Sequence, residues 1–454
     1  MRPDVEDLLL ARAARSQVVG RLPSLTAGVV QGDALSWWVG RGSIDGTPAG
    51  PEPDADTQYR IGSITKTFVA VLVMRLRDEG RISLDDELER YVPGTPFGTR
   101  TVAQLLAQAG GVPAEPPEPW WERTPGPAWP EFLERLRGES PVLAGGSRFH
   151  YSNVGFALLG RAIEEVRKSG WADCVRREVL EPLSMTRTTT RPEAPAACGL
   201  AVHPWADVVL PEPEHDAGAM APAGQLWSTL TDLARYAQVF LGQAPDVLDP
   251  ATVELMAQPG VVDARPTGWN AYGLGLQVHA GEDNVTVVGH SGSMPGFLAS
   301  FLVDRAQRTA SVVLANGTAG LDGMIGRDLL RIVREHEPAV PQEWRPMSAL
   351  PPDLEIAGPW FWGPTPLAVR FRSVDTLEIV PLGASGRAAV FRRQDGRWVG
   401  LDGYYAGEVL QARRDADGAL THLVVATFVL TRDPYQPHDV QPGGVVPPGW
   451  RPLP

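Results

Sequence analysis

The sequence has few cysteines and no long apolar segment. Its two cysteines, Cys174 and Cys198, form no Cys-x-x-Cys or Cys/His pattern. A disulfide framework and a zinc site are therefore excluded, and we predict two passive reduced thiols. No stretch approaches eighteen apolar residues, which excludes a membrane-spanning helix. The first twenty residues carry Asp4, Glu6 and Asp7 and lack the basic and apolar regions of a secretory signal, so we expect a cytoplasmic protein.

The chain also has no excess of positive charge, since its formal net charge is −13. A nucleic-acid-binding protein needs a basic face, and anionic membranes attract cationic surfaces, so we predict neither partner. The sequence contains no pattern typical of a cofactor or metal site, and we predict no cofactor and no metal. Hydrophobic residues make up 43% of the chain, which is typical of a globular protein with a large core.

Hydrophobic periodicity predicts an α+β region followed by an all-β region. Helical spacing occurs in residues 5–19, 61–79, 154–168, 229–242 and 321–337, and strand patterns occur in residues 25–43 and between 271 and 316. Strands at both ends with helices between them indicate a sheet built from sequence-distant strands. After a Pro-rich joint, short strands separated by Gly-containing turns predict a barrel or curled sandwich. We therefore predict two domains, residues 1–340 and 350–454.

Three local features of the sequence give more specific structural predictions. Residues 112–147 are rich in Pro and Trp, so we predict no regular structure there, and the segment could equally be a pinned loop or a lid. Trp37 and Trp38 lie in a strand pattern and are expected in the core. Thr231 and Asp232 stand where the N-cap of the 229–242 helix belongs.

Lysine occurs at only two positions, Lys66 and Lys168, and Lys66 lies within an apolar helix. Ser63 precedes it by three residues, so the two side chains share one helix face. Burial lowers the pKa of a lysine, and such an amine can activate a neighbouring hydroxyl. Ser63 also follows Gly62, in a first turn whose free N–H groups can bind an oxyanion. A single Ser-x-x-Lys pattern is nevertheless a weak signal.

Two further motifs strengthen that signal. Tyr151-Ser152-Asn153 lies just ahead of a helix, and His290-Ser291-Gly292 lies within a strand pattern. In an acyl-transfer site without a Ser-His-Asp triad, Tyr151 can relay a proton and Lys66 can stabilise its phenolate. The Asn153 amide can orient the lysine or the substrate.

With these three motifs, the chain resembles the serine β-lactamase and penicillin-binding-protein superfamily, nearest to its class C-like branch. The resemblance covers about residues 5–335 and extends to EGRISLDDELERYVPG, WSTLTDLARY and GHSGSMPGFLASFLVD. One departure is TVAQLLAQAGGVP, where such proteins usually carry a Thr/Ser-rich version with His-Thr-Ser-Gly. The resemblance implies an antiparallel sheet flanked by helices, together with an all-α region.

The resemblance also implies roles for individual residues. Ser63 would be the nucleophile and Lys66 its partner, while Tyr151 would act first as general base and then as acid. Asn153 would be the orienting amide, and His290 would assist from the facing strand. The oxyanion hole would consist of the backbone N–H groups of Ser63 and Ser293. The remaining histidines without a motif are expected to be surface or structural residues: His203, His215, His279 and His336.

Within this superfamily, the two-domain layout most resembles the penicillin-binding-protein-type thioesterases of nonribosomal peptide pathways. That resemblance implies a lipocalin-like C-terminal domain and head-to-tail cyclisation of a peptidyl thioester, possibly on a peptidyl carrier protein. One alternative is a cytoplasmic serine hydrolase, either an esterase, a D-aminopeptidase or an enzyme like a DD-carboxypeptidase or β-lactamase. A second is a penicillin-binding sensor without turnover. Arginines that could dock an acidic carrier protein are Arg370, Arg372, Arg392, Arg393, Arg413 and Arg414.

Overall fold

The structure is a computed structural model of the chain. It describes residues 1–265, 268–280, 286–337, 343–384, 386–401 and 403–435. The chain divides into two compact units, Met1–Val340 and Pro341–Pro454. Part of the predicted joint and the Pro/Gly-rich last fifteen residues lie outside the described residues.

The first unit contains helices and strands in a mixed order. Its helices are α1 (Pro3–Val19), α2 (Thr65–Asp78), α3 (Val102–Leu106), α4 (Trp129–Leu136), α5 (Asn153–Arg167), α6 (Trp171–Val175), α7 (Leu230–Phe240), α8 (Pro250–Ala257) and α9 (Ile325–His336). Its strands are β1 (Ser24–Gln31), β2 (Ala34–Gly42), β3 (Tyr59–Arg60), β4 (Leu200–Val202), β5 (Val209–Pro211), β6 (Trp227–Ser228), β7 (Val261–Arg265), β8 (Gly268–Tyr272), β9 (Gln277–Ala280), β10 (Thr286–Met294), β11 (Phe297–Asp304) and β12 (Thr309–Ala315).

Eight of these strands form one antiparallel sheet in the order β2-β1-β12-β11-β10-β9-β8-β7. The N-terminal strand β1 pairs with β12, which lies near the other end of the domain in sequence, and Leu25 stands opposite Ala315. Successive side chains of β12 point to opposite faces. Val313 therefore joins the core with α1 and α9, while Val312 joins the larger core that contains α2 and α7. The predicted α+β sheet of sequence-distant strands is confirmed.

Helix α2 passes through the larger core, as its sequence predicts. Its residues from Thr65 to Met74 are all buried. Phe68 stacks on Tyr236 of α7 with ring centroids 3.9 Å apart. Because the helix is enclosed on every side, its first turn is held in a fixed position, and that turn carries the candidate nucleophile.

The second unit is a closed antiparallel barrel of eight strands in sequential order. Its strands are β13 (Gly358–Trp362), β14 (Thr365–Ser373), β15 (Thr376–Pro381), β16 (Ala389–Gln394), β17 (Arg397–Gly400), β18 (Val409–Arg414), β19 (Leu420–Val425) and β20 (Phe428–Thr431). Its own core includes Trp360, Leu377, Phe391 and Leu423, all buried. The prediction of a barrel is thus confirmed.

Three local predictions need correction. The N-cap of α7 is Thr229, whose hydroxyl accepts from the Asp232 N–H at 3.1 Å, so the cap lies ahead of Thr231. Trp37 is 8% exposed, whereas Trp38 is 44% exposed, because adjacent strand residues face opposite sides. The segment 112–147 contains helix α4, which begins with a proline at its first turn and buries Phe132 and Leu136.

Candidate active site

The candidate nucleophile lies in a tight turn directly before α2. Gly62–Ile64 forms a 3-10 turn, and Gly62 has φ +52°, a value that favours glycine. Ser63 is partly exposed at this turn, and Lys66 follows one turn later with its side chain fully buried. The sequence therefore places a reachable hydroxyl directly over a buried amine.

Lys66 makes two short hydrogen bonds. Its Nζ donates to Ser63 Oγ at 2.9 Å and to the carbonyl oxygen of Ala223 at 2.7 Å. Burial lowers the pKa of Lys66 to about 7, against the opposing effect of the Glu115 and Glu122 carboxylates. Near neutral pH a substantial fraction of Lys66 is therefore an uncharged amine that can accept a proton.

Tyr151 lies beside the same serine. The Ser63 side chain lies near enough to this hydroxyl to lower the pKa of the phenol, and Lys66 Nζ is 5.1 Å from the centre of its ring. Burial raises the pKa of Tyr151, so it is a neutral phenol in the resting protein. Its position is fixed by the chain that follows, because Ser152 caps α5 by accepting from the Gly155 N–H at 2.9 Å.

Asn153 reaches the site but has a different partner from the expected one. Its Nδ2 donates to Glu115 Oε1 at 2.8 Å. The Asn153 side chain is buried, and within the described part of the chain its Oδ1 has no hydrogen-bond partner. The predicted orienting amide is thus held by a carboxylate from the Pro-rich segment.

His290 is buried near Tyr151. Its Nδ1 lies 2.6 Å from the carbonyl oxygen of Ser291, which can only accept, so Nδ1 carries the proton. Its Nε2 lies 2.9 Å from the Tyr272 hydroxyl and accepts from it. Burial, with a further effect from Lys66, lowers the pKa of His290 to about 3, so the ring is neutral. The ring centre is 6.1 Å from that of Tyr151.

The strand β10 runs directly against the nucleophile turn. A Cβ at Gly292 would lie 2.0 Å from the carbonyl oxygen of Ile61, and a Cβ at Gly62 would lie 2.6 Å from the Ser293 nitrogen. Only glycines permit this approach of two backbones. It brings the Ser293 backbone beside Ser63, as an oxyanion hole made from these two residues requires.

Sequence reasoning did not find three residues that contact this site. Glu115 binds Asn153, and Trp121 donates its Nε1 proton to Glu115 Oε2 at 2.6 Å. Tyr272 holds His290. Glu115 and Trp121 lie in a Pro-rich segment without periodicity, where no pattern relates a side chain to a distant motif. The segment is held by a buried Trp121, which supports a pinned loop.

A cleft of about 370 Å³ opens beside Tyr151. Residues that line it include Phe149, Tyr272, Gln277, Ser291, His279 and Arg327. At its far end, Arg327 Nη2 lies 2.6 Å from His279 Nδ1. The cleft has an aromatic wall and several polar groups.

The four histidines predicted to be surface or structural residues have different surroundings. His336 is exposed, and His203 is partly exposed. His215 Nε2 is hydrogen-bonded to the carbonyl oxygen of Trp121 at 2.9 Å, and His279 lines the cleft. Among the residues that the structure describes, no group of three or more metal-binding side chains occurs, and no helix is long and apolar enough to cross a membrane.

The fold and the Ser63–Lys66 pair define a class, that of the serine β-lactamase fold, whose members are serine hydrolases and acyltransferases. A family model described as Beta-lactamase matches residues 10–335. The chain belongs to the beta-lactamase family. A second model, described as Domain of unknown function (DUF7586), matches residues 350–432.

Individual relatives agree with this assignment. The human protein beta-lactamase-like 1 is 31% identical over an alignment of 324 residues, and the match covers 65% of this chain and 61% of that protein. This chain spans between about half and three fifths of the length of the curated relatives it matches.

Solved structures are similar to the chain as well. The octameric penicillin-binding protein homologue from Pyrococcus abyssi covers 94% of this chain and 99% of its own, with a TM-score of 0.64 and 21% identity. At that identity the likeness shows the fold alone. The D-stereospecific amidohydrolase from Streptomyces sp. covers 73% of this chain and 99% of its own, with a TM-score of 0.60 and 25% identity.

Proposed function

We propose that this protein is a serine enzyme that takes an acyl group onto Ser63 and then transfers it to a second acceptor. One observation carries the proposal: the Ser63 hydroxyl is hydrogen-bonded to a fully buried lysine whose pKa is close to neutrality. An amine in that state removes the proton that makes a serine hydroxyl a poor nucleophile.

The geometry supports the following sequence of steps. Ser63 Oγ attacks the substrate carbonyl carbon, and its proton passes to Lys66 Nζ. The new C–O bond forms while the carbonyl electron pair moves onto oxygen, where the N–H groups of Ser63 and Ser293 stabilise it. The intermediate collapses, the bond to the leaving group breaks, and the proton returns to that group through the Tyr151 hydroxyl. The second acceptor then attacks the acyl carbon and gives its proton to the Lys66–Tyr151 pair. The bond from the acyl carbon to Ser63 Oγ breaks, and the same pair returns a proton to Ser63.

Asn153 and His290 act differently in this scheme from the roles that the sequence motifs predict. His290 is neutral and hydrogen-bonded to Tyr272, so it positions that ring and the strand that carries Ser293. Asn153 supports the site through Glu115. Tyr151 relays a proton, and the resting proton acceptor is Lys66 because burial raises the pKa of the phenol and lowers that of the amine.

For the substrate, we propose an amide, ester or thioester of a small D-configured amino acid or peptide. The cleft beside Tyr151 has a suitable volume, and the D-stereospecific amidohydrolase from Streptomyces sp. is similar in structure over most of the catalytic unit. The simplest acceptor is water, which makes the protein a hydrolase.

A finer proposal is that the acceptor is the N-terminal amine of the same peptide, so that the product is a macrocycle. A tethered amine can react faster than water with the acyl group, because its effective concentration can reach about 10⁵ M or more. The Trp121-pinned segment lies beside the nucleophile and can exclude water there. In this proposal the donor is a peptidyl thioester, possibly on a carrier protein, and the protein acts in the cytoplasm.

The role of the second unit in that reaction is also a proposal. Its sequential eight-stranded barrel has the topology of lipocalin-like barrels. Carrier docking requires unpaired positive charge. Arg372 and Arg414 are each paired with a glutamate, whereas Arg370, Arg392 and Arg413 are exposed and remain the stronger docking candidates.

One assay separates these possibilities. The protein is given a peptidyl thioester with a free N-terminus and a D-configured C-terminal residue, and the products are separated by mass. Linear acid supports the hydrolase, and a product lighter by one water supports the cyclase. Ser63→Ala is the control and should form neither product. A stable penicillin adduct without turnover of any ester, amide or thioester would instead indicate a sensor.

A further inference from the structure

Two carboxylates of the Pro-rich segment lie beside the nucleophile without a basic partner. Glu115 Oε2 accepts from Trp121 Nε1 at 2.6 Å, and Glu122 Oε2 accepts from Trp120 Nε1 at 3.1 Å. The neighbouring Arg123 is paired with Glu212 instead. Among the described residues, no ion pair to Glu115 or Glu122 occurs, although both carboxylates act electrostatically on Lys66 and Tyr151.

Asn153 provides a second and independent observation at the same place. Its side chain is 7% exposed, and its Nδ2 donates to Glu115 Oε1 at 2.8 Å. Because an ionised carboxylate can only accept, this contact fixes the orientation of the amide. The remaining amide oxygen, Oδ1, is buried and has no hydrogen-bond partner among the described residues. A buried acceptor without a donor is costly and calls for a partner that brings N–H groups.

The site beside Ser63 is therefore rich in acceptors and negative charge. Glu115 is exposed as a residue, although burial raises the pKa of its carboxyl, so we expect a ligand to reach this group from its open side. An ammonium group supplies three N–H donors and the missing positive charge. A neutral amide carbonyl on the substrate would instead face acceptors and carboxylates, which repel it.

We propose that Glu115, supported by Asn153 and Glu122, binds a free ammonium group of the substrate next to the acyl carbon that Ser63 attacks. This inference rests on the proposed function and narrows its substrate class to aminoacyl donors whose α-amino group is free. Substrates whose amino group is acylated lose both the charge and the donors, and they are selected against.

The test uses two thioesters of N-acetylcysteamine that differ only at the amine, one of D-alanine and one of N-acetyl-D-alanine. We expect the wild-type kcat/KM to be at least about tenfold higher for the free amine, as the loss of a charge-assisted hydrogen bond implies. Glu115→Gln keeps the size of the side chain and removes its charge. It should lower kcat/KM for the free amine by about tenfold or more and change that for the acetylated substrate by less than about threefold.

Glu118→Gln is the matched control, because it removes the same charge from an exposed position three residues along the same segment. It should leave both values unchanged. Equal wild-type rates for the two thioesters, or an equal loss for both in Glu115→Gln, would overturn the ammonium site, the latter because a merely structural role lowers both. If the wild type acylates with neither thioester, the proposed function itself is overturned and this inference with it.

Discussion

Lys66 is the residue whose ionisation decides whether Ser63 can react. Its amine is fully buried, donates to Ser63 Oγ, and has a pKa near 7 because burial disfavours the charged form. Buried lysines are costly, and a protein keeps one where its neutral form does chemistry. Two lysines occur in the whole sequence, and the other, Lys168, is exposed and paired with Glu165.

The pH dependence of kcat/KM should report this lysine. Below pH 7 Lys66 is protonated and cannot accept the Ser63 proton, so kcat/KM should rise with pH through a midpoint near 7 and then level off. The measurement is a kcat/KM profile from pH 5 to 9 with one thioester. Lys168→Met is the matched control and should keep the midpoint. A profile without a rise in this range would show that no neutral amine is required.

Lys66 donates to the Ser63 hydroxyl, and the same serine acts electrostatically on Tyr151, so the two residues should act as one unit. Each of Lys66→Ala and Tyr151→Phe should lower kcat by about 10²–10⁴-fold, the range for general acid–base groups. The double variant should be no more than about threefold slower than the slower single variant, since groups that act together are not additive. If the two losses multiply, the groups work independently and the relay through Tyr151 is wrong.

For individual residues, the sequence predicted well which side chains come together. It predicted less well which hydrogen bonds they form. The Ser63–Lys66 spacing implies a shared helix face, and the structure places their polar atoms 2.9 Å apart. The link from Asn153 to Glu115 could not be predicted, because it depends on the path of a Pro-rich loop. The same holds for His290, whose partner Tyr272 comes from two strands away in the sheet.

At the scale of elements, catalysis depends on the contact between the turn before α2 and the strand β10. Gly292 touches the carbonyl of Ile61, and this contact places Ser293 beside Ser63. The sequence predicted both elements, because α2 is apolar on nearly all sides and residues 271–316 carry strand patterns. Their contact requires glycine at positions 62 and 292. The sequence shows both glycines, but it does not show which backbone lies against each of them.

Gly292→Ala should therefore separate the strand from the nucleophile turn. A Cβ there would lie 2.0 Å from the Ile61 carbonyl oxygen, so one of the two backbones must move. Losing one oxyanion donor costs about 10²–10³-fold in kcat, and we expect a loss of that order. Circular dichroism should show the native fold. Gly138→Ala, at an exposed position where a Cβ meets no atom within 4 Å, is the control. Unchanged kcat in Gly292→Ala would contradict an oxyanion hole that uses Ser293.

At the scale of the whole molecule, the chain consists of two units with separate cores. The catalytic unit buries α2 and the sheet, and the barrel closes around its own residues, Trp360 and Leu377 among them. Composition and the change from mixed to all-β patterning predicted both architectures. The sheet order could not be predicted, since it depends on which strands pair over distances of more than 250 residues.

Separate cores should unfold separately. Leu377→Ala removes buried methyl groups from the barrel and should destabilise it by about 2–5 kcal/mol. Scanning calorimetry should then show two transitions, of which one moves to lower temperature and the other stays. One cooperative transition that moves as a whole would contradict independent cores.

The central claim is that Ser63 carries the acyl group, and intact-protein mass spectrometry tests it most directly. The protein is mixed with the D-alanine thioester, quenched in acid within seconds, and digested to locate the adduct. We predict one added D-alanyl group on the peptide that contains Ser63, and no adduct in Ser63→Ala. An acyl group on another residue, or turnover that persists in Ser63→Ala, would contradict the claim.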